Sequence, residues 1–247
     1  MTPLKLGMVG GGQGAFIGGV HRFAARLDGK WELVAGALSS DPERATSSAA
    51  DLGIAPDRSY TSYADMAIAE AARPDGIDAV AIVTPNHMHA GPTIAFLNAG
   101  ITVICDKPLA ATPEDAEAIR AAVEGAKAKF ILTHNYTGYP LMRQAREMIA
   151  HGDLGRLRVV QAEYAQDWLT EDTQNKQADW RTDPKRSGAG AIGDIGTHAF
   201  NLVSFVSGLE TEALSADLHS FVDGRQVDDN AHILLRLEGG ARGMIWA

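Results

Sequence analysis

LKLGMVGGGQGAFIGG, residues 4–19, is the stretch on which the fold of this chain turns. The apolar run LKLGMV delivers the chain into Gly10-Gly11-Gly12-Gln13-Gly14-Ala15, and a helical pattern follows that ends near Leu27. A pyrophosphate site needs a strand that brings the chain in, glycines that let backbone N–H groups approach, and a helix whose N-terminus faces the charge. The run fits G-x-G-x-x-A, so Gly10, Gly12, Gln13, Gly14, Ala15, Phe16 and Ile17 are the candidate cofactor-binding residues of this turn. A glycine fingerprint alone describes a tight turn equally well. A second run, GAGAIGDIGTH at 188–198, contains a literal G-x-G-x-x-G but follows the polar loop TDPKRS with no strand before it. Sequence context therefore assigns the phosphate to the first run, and the second is expected to bring main chain close to something else.

Outward from Gly10 the pattern supports that reading. WELVAGAL, IDAVAIV, ITVIC and FILTH alternate with longer Ala-rich amphipathic segments, the rhythm of a parallel sheet wrapped by helices. Asp41-Pro42 and Thr112-Pro113 each place a capping side chain before a proline whose missing N–H costs nothing in a first turn, and Gly53 and Gly100 close two helices. After about residue 136 the pattern changes to a helix over LMRQAREMIAHG, a strand-like RLRVVQAEYA, a long polar loop through TEDTQNKQADWRTDPKRS, a helix starting near Asp194 and strand-like segments to the end. The expected fold class is α/β, with a dinucleotide-binding Rossmann domain over 1–136 and an α+β domain over 137–247. GARGMIWA reads as a strand that stops without a turn or polar tail, so the second domain is expected to be truncated.

The 247 residues carry 22 Lys and Arg against 31 Asp and Glu, a net charge of -9 that disfavours nucleic acid and anionic membrane surfaces as partners. Cys105, in the apolar run ITVIC, is the one cysteine, which excludes an intrachain disulfide and points to a reducing setting. The N-terminal apolar stretch has no basic flank and is broken by glycines, so neither a signal peptide nor a membrane span is expected. A cytoplasmic location follows from these features.

The choice of dinucleotide is read at the end of the second strand, where a carboxylate suits ribose hydroxyls and a cation or hydroxyl suits a 2′-phosphate. Ser39 stands where the acid is expected, followed by Ser40, Asp41 and, one turn on, Arg44, which leans the expectation from NAD toward NADP; Asp41 as a plain cap and Arg44 as a solvated residue is the alternative. Oxidising a carbinol by hydride transfer needs a base for the hydroxyl proton. Asp194 and His198, at i and i+4, would share a helix face extended by Asn201, and a carboxylate beside an imidazole fixes its tautomer. Lys107, in ICDKPLA at a strand end, can polarise a substrate oxygen; a salt bridge with Asp106 is the bland alternative. TPNHMH at 84–89 ends another strand and offers Thr84, Pro85, Asn86 and His89 to the cofactor. Its H-x-H spacing fixes no third ligand, so no metal is assigned.

Taken in order and spacing, the glycine run, TPNHMH, CDKPLA, WRTDP and GDIGTH resemble the glucose-fructose oxidoreductase, inositol dehydrogenase and rhizopine-catabolism (Gfo/Idh/MocA) family over essentially the whole chain. The resemblance implies a Rossmann domain paired with a domain built on a large open, mainly antiparallel sheet, and hydride transfer between a nicotinamide and sugars, cyclitols or related polyols. It places the catalytic lysine on Lys107, the catalytic aspartate and histidine on Asp194 and His198, and a cis peptide at Lys107–Pro108, with Asp106, Lys107 and Pro108 beside the cofactor. It further implies that Trp180 and Arg181 approach the cofactor and the sugar. Four departures stand out: a longer glycine loop, Asp106 in place of a glutamate, Asn201 in place of an aspartate, and a chain shorter than members commonly are.

The resulting expectation is an NAD(P)-dependent oxidoreductase acting on a secondary hydroxyl. His198 would accept the proton, Asp194 orient it and Lys107 hold the reacting oxygen, while the glycines of 188–198 would let the helix begin against the nicotinamide. Tyr136, Gln166, Trp168 and Trp180 are expected to join Lys107, Asp194 and His198 in binding substrate, with ordinary packing as their alternative. The expected partner besides substrate is a second copy of the chain, paired through the C-terminal sheet. A regulatory dinucleotide or sugar sensor and an NAD-dependent glycosidase are the other functions this pattern allows.

Overall fold

The computed structural model describes residues 2–247 and divides into two compact units, the first ending at Thr133 and the second spanning His134–Ala247. The first unit runs β1 (Leu4–Gly10), α1 (Phe16–Arg26), β2 (Trp31–Ala37), α2 (Pro42–Asp51), α3 (Tyr63–Ala72), β3 (Ala79–Val83), α4 (Ala90–Asn98), β4 (Thr102–Asp106), α5 (Pro113–Gly125) and β5 (Phe130–Thr133). Its five strands pair in the order β2-β1-β3-β4-β5, all parallel, so each crossover carries a helix. Strand β3 shows why the sheet is covered on both faces. Val80 and Ile82 enter one core with Phe96 and Val103, while Ala79, Ala81 and Val83 enter another with Leu6, Met8 and Leu38. Side chains alternate across a strand, so a run without polar residues needs two apolar partners.

The helix starts are built as their sequences indicate. Asp41 accepts the Arg44 N–H at 2.8 Å and Thr112 accepts the Asp115 N–H at 3.1 Å, each with proline in the first turn. An ion pair lies buried beneath α3: the Arg58 guanidinium bonds both carboxylate oxygens of Glu70, and the Tyr60 hydroxyl donates to Glu70 Oε1 at 2.9 Å. Burial and that bond to Glu70 push the Tyr60 phenol up to about 12.

The second unit runs α6 (Pro140–Ala150), β6 (Val159–Glu163), α7 (Lys176–Arg181), α8 (Pro184–Ser187), α9 (Thr197–Ser207), β7 (Thr211–His219), β8 (Asn230–Leu237) and β9 (Arg242–Trp246). The sheet order is β6-β9-β8-β7, antiparallel except for the β6–β9 pair. Ala199 and Val203 of α9 pack on Ile233, Leu235, Leu237 and Ile245, and the opposite sheet face stays open. The fold is thus α/β, a Rossmann sheet plus a mainly antiparallel open sheet.

Three details differ from the sequence reading. The compact units divide at Thr133, earlier than residue 136, because the turn carrying Tyr136 packs on Tyr164 and His198 of the second unit. The polar loop around residues 170–187 holds two short helices, started by the Asn175 and Asp183 side chains rather than by any apolar period. The helix expected near Asp194 begins as a wide π turn over Ile192–Gly196 and becomes regular only from Thr197. Asp194 and His198 therefore do not sit on one regular α-turn.

Candidate active site

In the first unit the glycine turn forms a cradle that side chains would fill. Gly10, Gly11 and Gly14 have φ of 79, 74 and 73°, in the left-handed region that favours glycine. A Cβ on Gly18 would lie 2.4 Å from Gly11 Cα, so the first turns of α1 rest directly against the loop. The loop is also tied down from inside. Gly12 N–H donates to Leu38 O at 3.2 Å, Gln13 N–H to Ser48 Oγ at 3.1 Å, and Ala15 N–H to Gly12 O at 3.0 Å. Those three amides are taken by acceptors of the protein, which departs from the expectation that Gly12, Gln13 and Ala15 offer theirs to a phosphate. Gly11, Gly14 and the first turn of α1, Phe16 and Ile17, are left to meet one, and this geometry fits a pyrophosphate. Two further residues shape the cradle that sequence reading passed over. Buried Ser48 takes the Gln13 amide, and Arg22 donates to Gly11 O at 2.7 Å, its pKa lowered by burial and by Arg26.

The strand ends carry the other candidates of this unit. Ser39 Oγ accepts the Asp41 N–H at 3.1 Å, and Ser40 and Arg44 are exposed. Thr84 and Pro85 are half-buried while Asn86 is buried. His89 has 0% exposure, with Nδ1 2.8 Å from Pro108 O and Nε2 3.0 Å from Thr84 O. Burial draws its pKa below the usual value, against the pull of those carbonyls and of Asp106. A ring enclosed in this way ties the turn after β3 to the turn after β4, a supporting place rather than a surface for a cofactor. The Lys107–Pro108 peptide is cis. Asp106 accepts from Thr133 Oγ1 at 2.8 Å and from the Lys107 N–H at 3.1 Å, and faces His21 Nε2 at 3.9 Å. Burial pushes this carboxyl up, but His21, Thr133 and the Lys107 amide outweigh it and hold its pKa below the ordinary range. Cys105 is wholly buried and its thiol is pushed up to about 12 by desolvation.

In the second unit most of the remaining candidates form one continuous array. The buried His198 ring packs edge-on against Tyr136 at 4.7 Å between centroids, with His134 at 5.8 Å and Tyr164 at 5.9 Å. Tyr136 and Tyr164 share a hydrogen bond at 2.6 Å, Gln166 Nε2 donates to Tyr164 Oη at 2.9 Å, and Trp168 Nε1 donates to Gln166 Oε1 at 3.0 Å. The Arg181 guanidinium lies over Trp168 at 5.7 Å and over Trp180 at 4.2 Å, and its Nε donates to Asp194 Oδ2 at 3.1 Å. His134 and Tyr164 are the members that sequence reading missed. A phenol at the end of RLRVVQAEYA carries no local mark of facing a histidine far along the chain.

The glycines of 188–198 answer to a protein group. Gly190 N–H donates to Asp228 Oδ1 at 2.8 Å and Ile192 N–H to Asp228 Oδ2 at 2.7 Å, and a Cβ on Gly190 would sit 1.7 Å from the Asp228 carbonyl oxygen. The expectation that these glycines admit a nicotinamide is corrected at Gly190, where the close neighbour is Asp228. Among the described residues no group of three His, Cys, Asp or Glu side chains is placed to hold a metal ion, and no helix is long and apolar enough to cross a membrane.

Comparison with known proteins bears on both units. Residues 4–134 match a model described as an oxidoreductase family with NAD-binding Rossmann fold, and residues 142–247 match the Gfo/Idh/MocA C-terminal domain. A solved oxidoreductase from Sinorhizobium meliloti is 56% identical, with a TM-score of 0.91 over 100% of this chain and 65% of its own. An inositol dehydrogenase homolog from Azotobacter vinelandii, complexed with NADH and myo-inositol, is 38% identical, with a TM-score of 0.91 over 99% of this chain and 64% of its own. Levoglucosan dehydrogenase of Pseudarthrobacter phenanthrenivorans is 32% identical across 98% of this chain, and the chain spans 61% of its length.

Proposed function

This chain belongs to the Gfo/Idh/MocA oxidoreductase family, and from that premise we propose that the protein transfers a hydride between a nicotinamide dinucleotide and a secondary hydroxyl or ketone of a sugar, cyclitol or related polyol. The observation that carries the reading is the array of His198, Tyr136, Gln166, Trp168, Trp180, Arg181 and Asp194 in the second unit. Aromatic faces beside hydrogen-bonding heads suit a ring with apolar C–H faces and a polar rim. The relatives solved or named with myo-inositol and levoglucosan point to the same substrate class.

A bound nicotinamide supplies the hydride acceptor or donor. In the oxidising direction the substrate loses a hydride from carbon and a proton from oxygen. His198 takes the proton as the substrate's hydroxyl is oxidised. Asp194, held by Arg181, keeps a carboxylate on the same helical segment. Lys107 holds and polarises the reacting oxygen, and the Asp106 carboxylate, with the turn bonds it accepts, fixes the backbone beside it. Trp180 and Arg181 have their place beside the sugar, and Thr84, Pro85 and Asn86 beside the dinucleotide.

For the dinucleotide, exposed Arg44 and the hydroxyls of Ser39 and Ser40 favour a 2′-phosphate, while the inositol dehydrogenase homolog was solved with NADH. The ratio of kcat/KM for the two cofactors decides between them, and Ser39→Asp is expected to move it toward NAD. The open sheet face favours pairing with a second copy of the chain.

The test is a sugar and polyol panel with NAD and NADP, on this chain and on Lys107→Ala and His198→Ala. Removing a proton-transfer group costs about 10²–10⁴-fold in turnover. Full turnover in both variants on the best substrate would sink the assignment.

A further inference from the structure

Arg22 carries a charge that the first unit leaves without an opposite one. It stands on α1 four residues after Gly18, on the same helix face, and its side chain runs back along that face to the glycine loop. Its Nη1 donates to Gly11 O at 2.7 Å and lies 3.5 Å from Met8 Sδ, a weak acceptor. Gly18 clears the space for both groups, since a Cβ there would stand 2.6 Å from Gly11 O and 3.0 Å from Arg22 Nη1. Among the described residues no carboxylate pairs with the guanidinium, and the charge that acts on it is another cation, Arg26. Arginine stays protonated at working pH even so. A half-buried cation facing its own kind is held at a cost that a nearby anion would relieve. The same bond settles the direction of a carbonyl. Gly11, with φ of 74°, lies in a run of glycines whose peptide planes turn over easily, and an outward carbonyl would set its negative end against a phosphate. Arg22 keeps that oxygen against α1, while the N–H of the same peptide, on Gly12, donates to Leu38 O at 3.2 Å. The Gly11–Gly12 peptide cannot turn without breaking both bonds.

We propose that Arg22 is a positioning residue for the dinucleotide, a cation fixed against the glycine loop that pins the Gly11 carbonyl inward and supplies counter-charge to the pyrophosphate. A loop set before the ligand arrives takes its ordering cost out of binding. The group recognised is a pyrophosphate between two nucleoside halves, so the effect falls on that group and leaves the nicotinamide alone. The inference rests on the glycine loop as the dinucleotide cradle of the function proposed above, and it is independent of the sugar chemistry of the second unit.

ADP-ribose, which has the pyrophosphate but no nicotinamide, is the probe, titrated by calorimetry beside NADH and NADPH. Arg22→Met removes bond and charge together, Arg22→Lys keeps the charge and a donor, and Arg22→Gln keeps a donor without the charge. In Arg22→Met the dissociation constants of ADP-ribose and of the better dinucleotide should rise together by about tenfold or more, the loss of one hydrogen bond from a charged donor. Arg22→Lys should recover most of that affinity and Arg22→Gln less. In turnover the KM of the dinucleotide should rise far more than kcat falls. Natural affinity in Arg22→Met would overturn the proposal, and Arg22→Lys binding no better than Arg22→Gln would overturn the counter-charge. In the ligand-free chain the Gly12 amide should exchange with solvent faster in Arg22→Met, and unchanged exchange would refute the pinned peptide. The Arg22 Nε–H resonance of the natural chain, assigned through Arg22→Lys, gives a reading that needs no folded Met variant. It should move when ADP-ribose is added, and an unmoved resonance would overturn the proposal. Tight ADP-ribose binding with no turnover on any sugar or polyol would instead strike the function proposed above and leave this inference standing.

Discussion

Gly18 holds the first unit's cradle closed by having no side chain. With a Cβ 2.4 Å from Gly11 Cα, Gly18→Ala must push α1 off the loop, at an overpacking cost of about 1–3 kcal/mol. A dinucleotide titration followed by fluorescence should show affinity falling by at least about tenfold, because that cost is borne where the pyrophosphate would lie. Unchanged affinity would mean that the loop's position against α1 is unimportant for binding. His89 offers a pH test at the same scale. Burial draws its pKa below the unfolded value of about 6.5, so the unfolded chain binds more protons in the window beneath that value. Its contribution to stability is therefore complete above about pH 6.5 and is lost as pH falls through the folded-state pKa. Urea midpoints measured from pH 7.5 down to 5, ordinary working values for such a titration, should fall less steeply for His89→Gln than for the natural chain; parallel curves would refute this. The sequence showed Gly18 and His89 only as residues within motifs. What each touches, Gly11 in one case and two strand-end carbonyls in the other, is decided by tertiary packing.

Elements that announce themselves by period and caps were legible, and those built from long-range polar contacts were not. Asp41-Pro42 and Thr112-Pro113 mark helix starts because cap and proline are neighbours in sequence, and the alternation of apolar runs with helices gave the parallel sheet. The turn at 188–198 was half legible. Its glycines signalled a close approach, but the approaching group, Asp228, lies 38 residues beyond Gly190. Asp228→Ala strands the part-buried Gly190 and Ile192 N–H groups, and leaving such donors unmade costs up to about 1–3 kcal/mol in all. The expected result is a loss of that size in urea unfolding, together with a changed His198 ring resonance, since the π turn these amides anchor leads directly into α9. A stability equal to that of the natural chain would show that water satisfies the turn instead. The Arg58–Glu70 pair makes a harsher test. Glu70 is 1% exposed, so Glu70→Ala leaves the buried guanidinium with the half-exposed Asp75 carboxylate, 3.5 Å away, as its remaining counter-charge and should cost up to about 3–5 kcal/mol, read as a lowered urea midpoint.

At the scale of the whole molecule, charge and apolar surface act in opposite senses. The open face of the second unit's sheet exposes Val159 (66%), Leu234 (61%), Met244 (41%) and Trp246 (41%), an apolar strip running from the edge strand β6 across β9 to β8. Surface of this kind is stabilised by covering it, at roughly 25 cal/mol per Å² removed from water. The net charge of -9 makes two copies repel, and that repulsion is screened within about 10 Å at 0.1 M salt. Self-association through this face should therefore strengthen as salt is added, the reverse of pairing held by surface ion pairs. Sedimentation across a range of concentration and salt is expected to show a concentration-dependent oligomer that grows with ionic strength. Leu234→Lys combined with Met244→Lys, two outward-facing positions paired across β8 and β9, should return the protein to monomer without lowering its urea midpoint. A natural chain that stays monomeric at every salt concentration, or an oligomer indifferent to both lysines, would place the contact elsewhere on the surface.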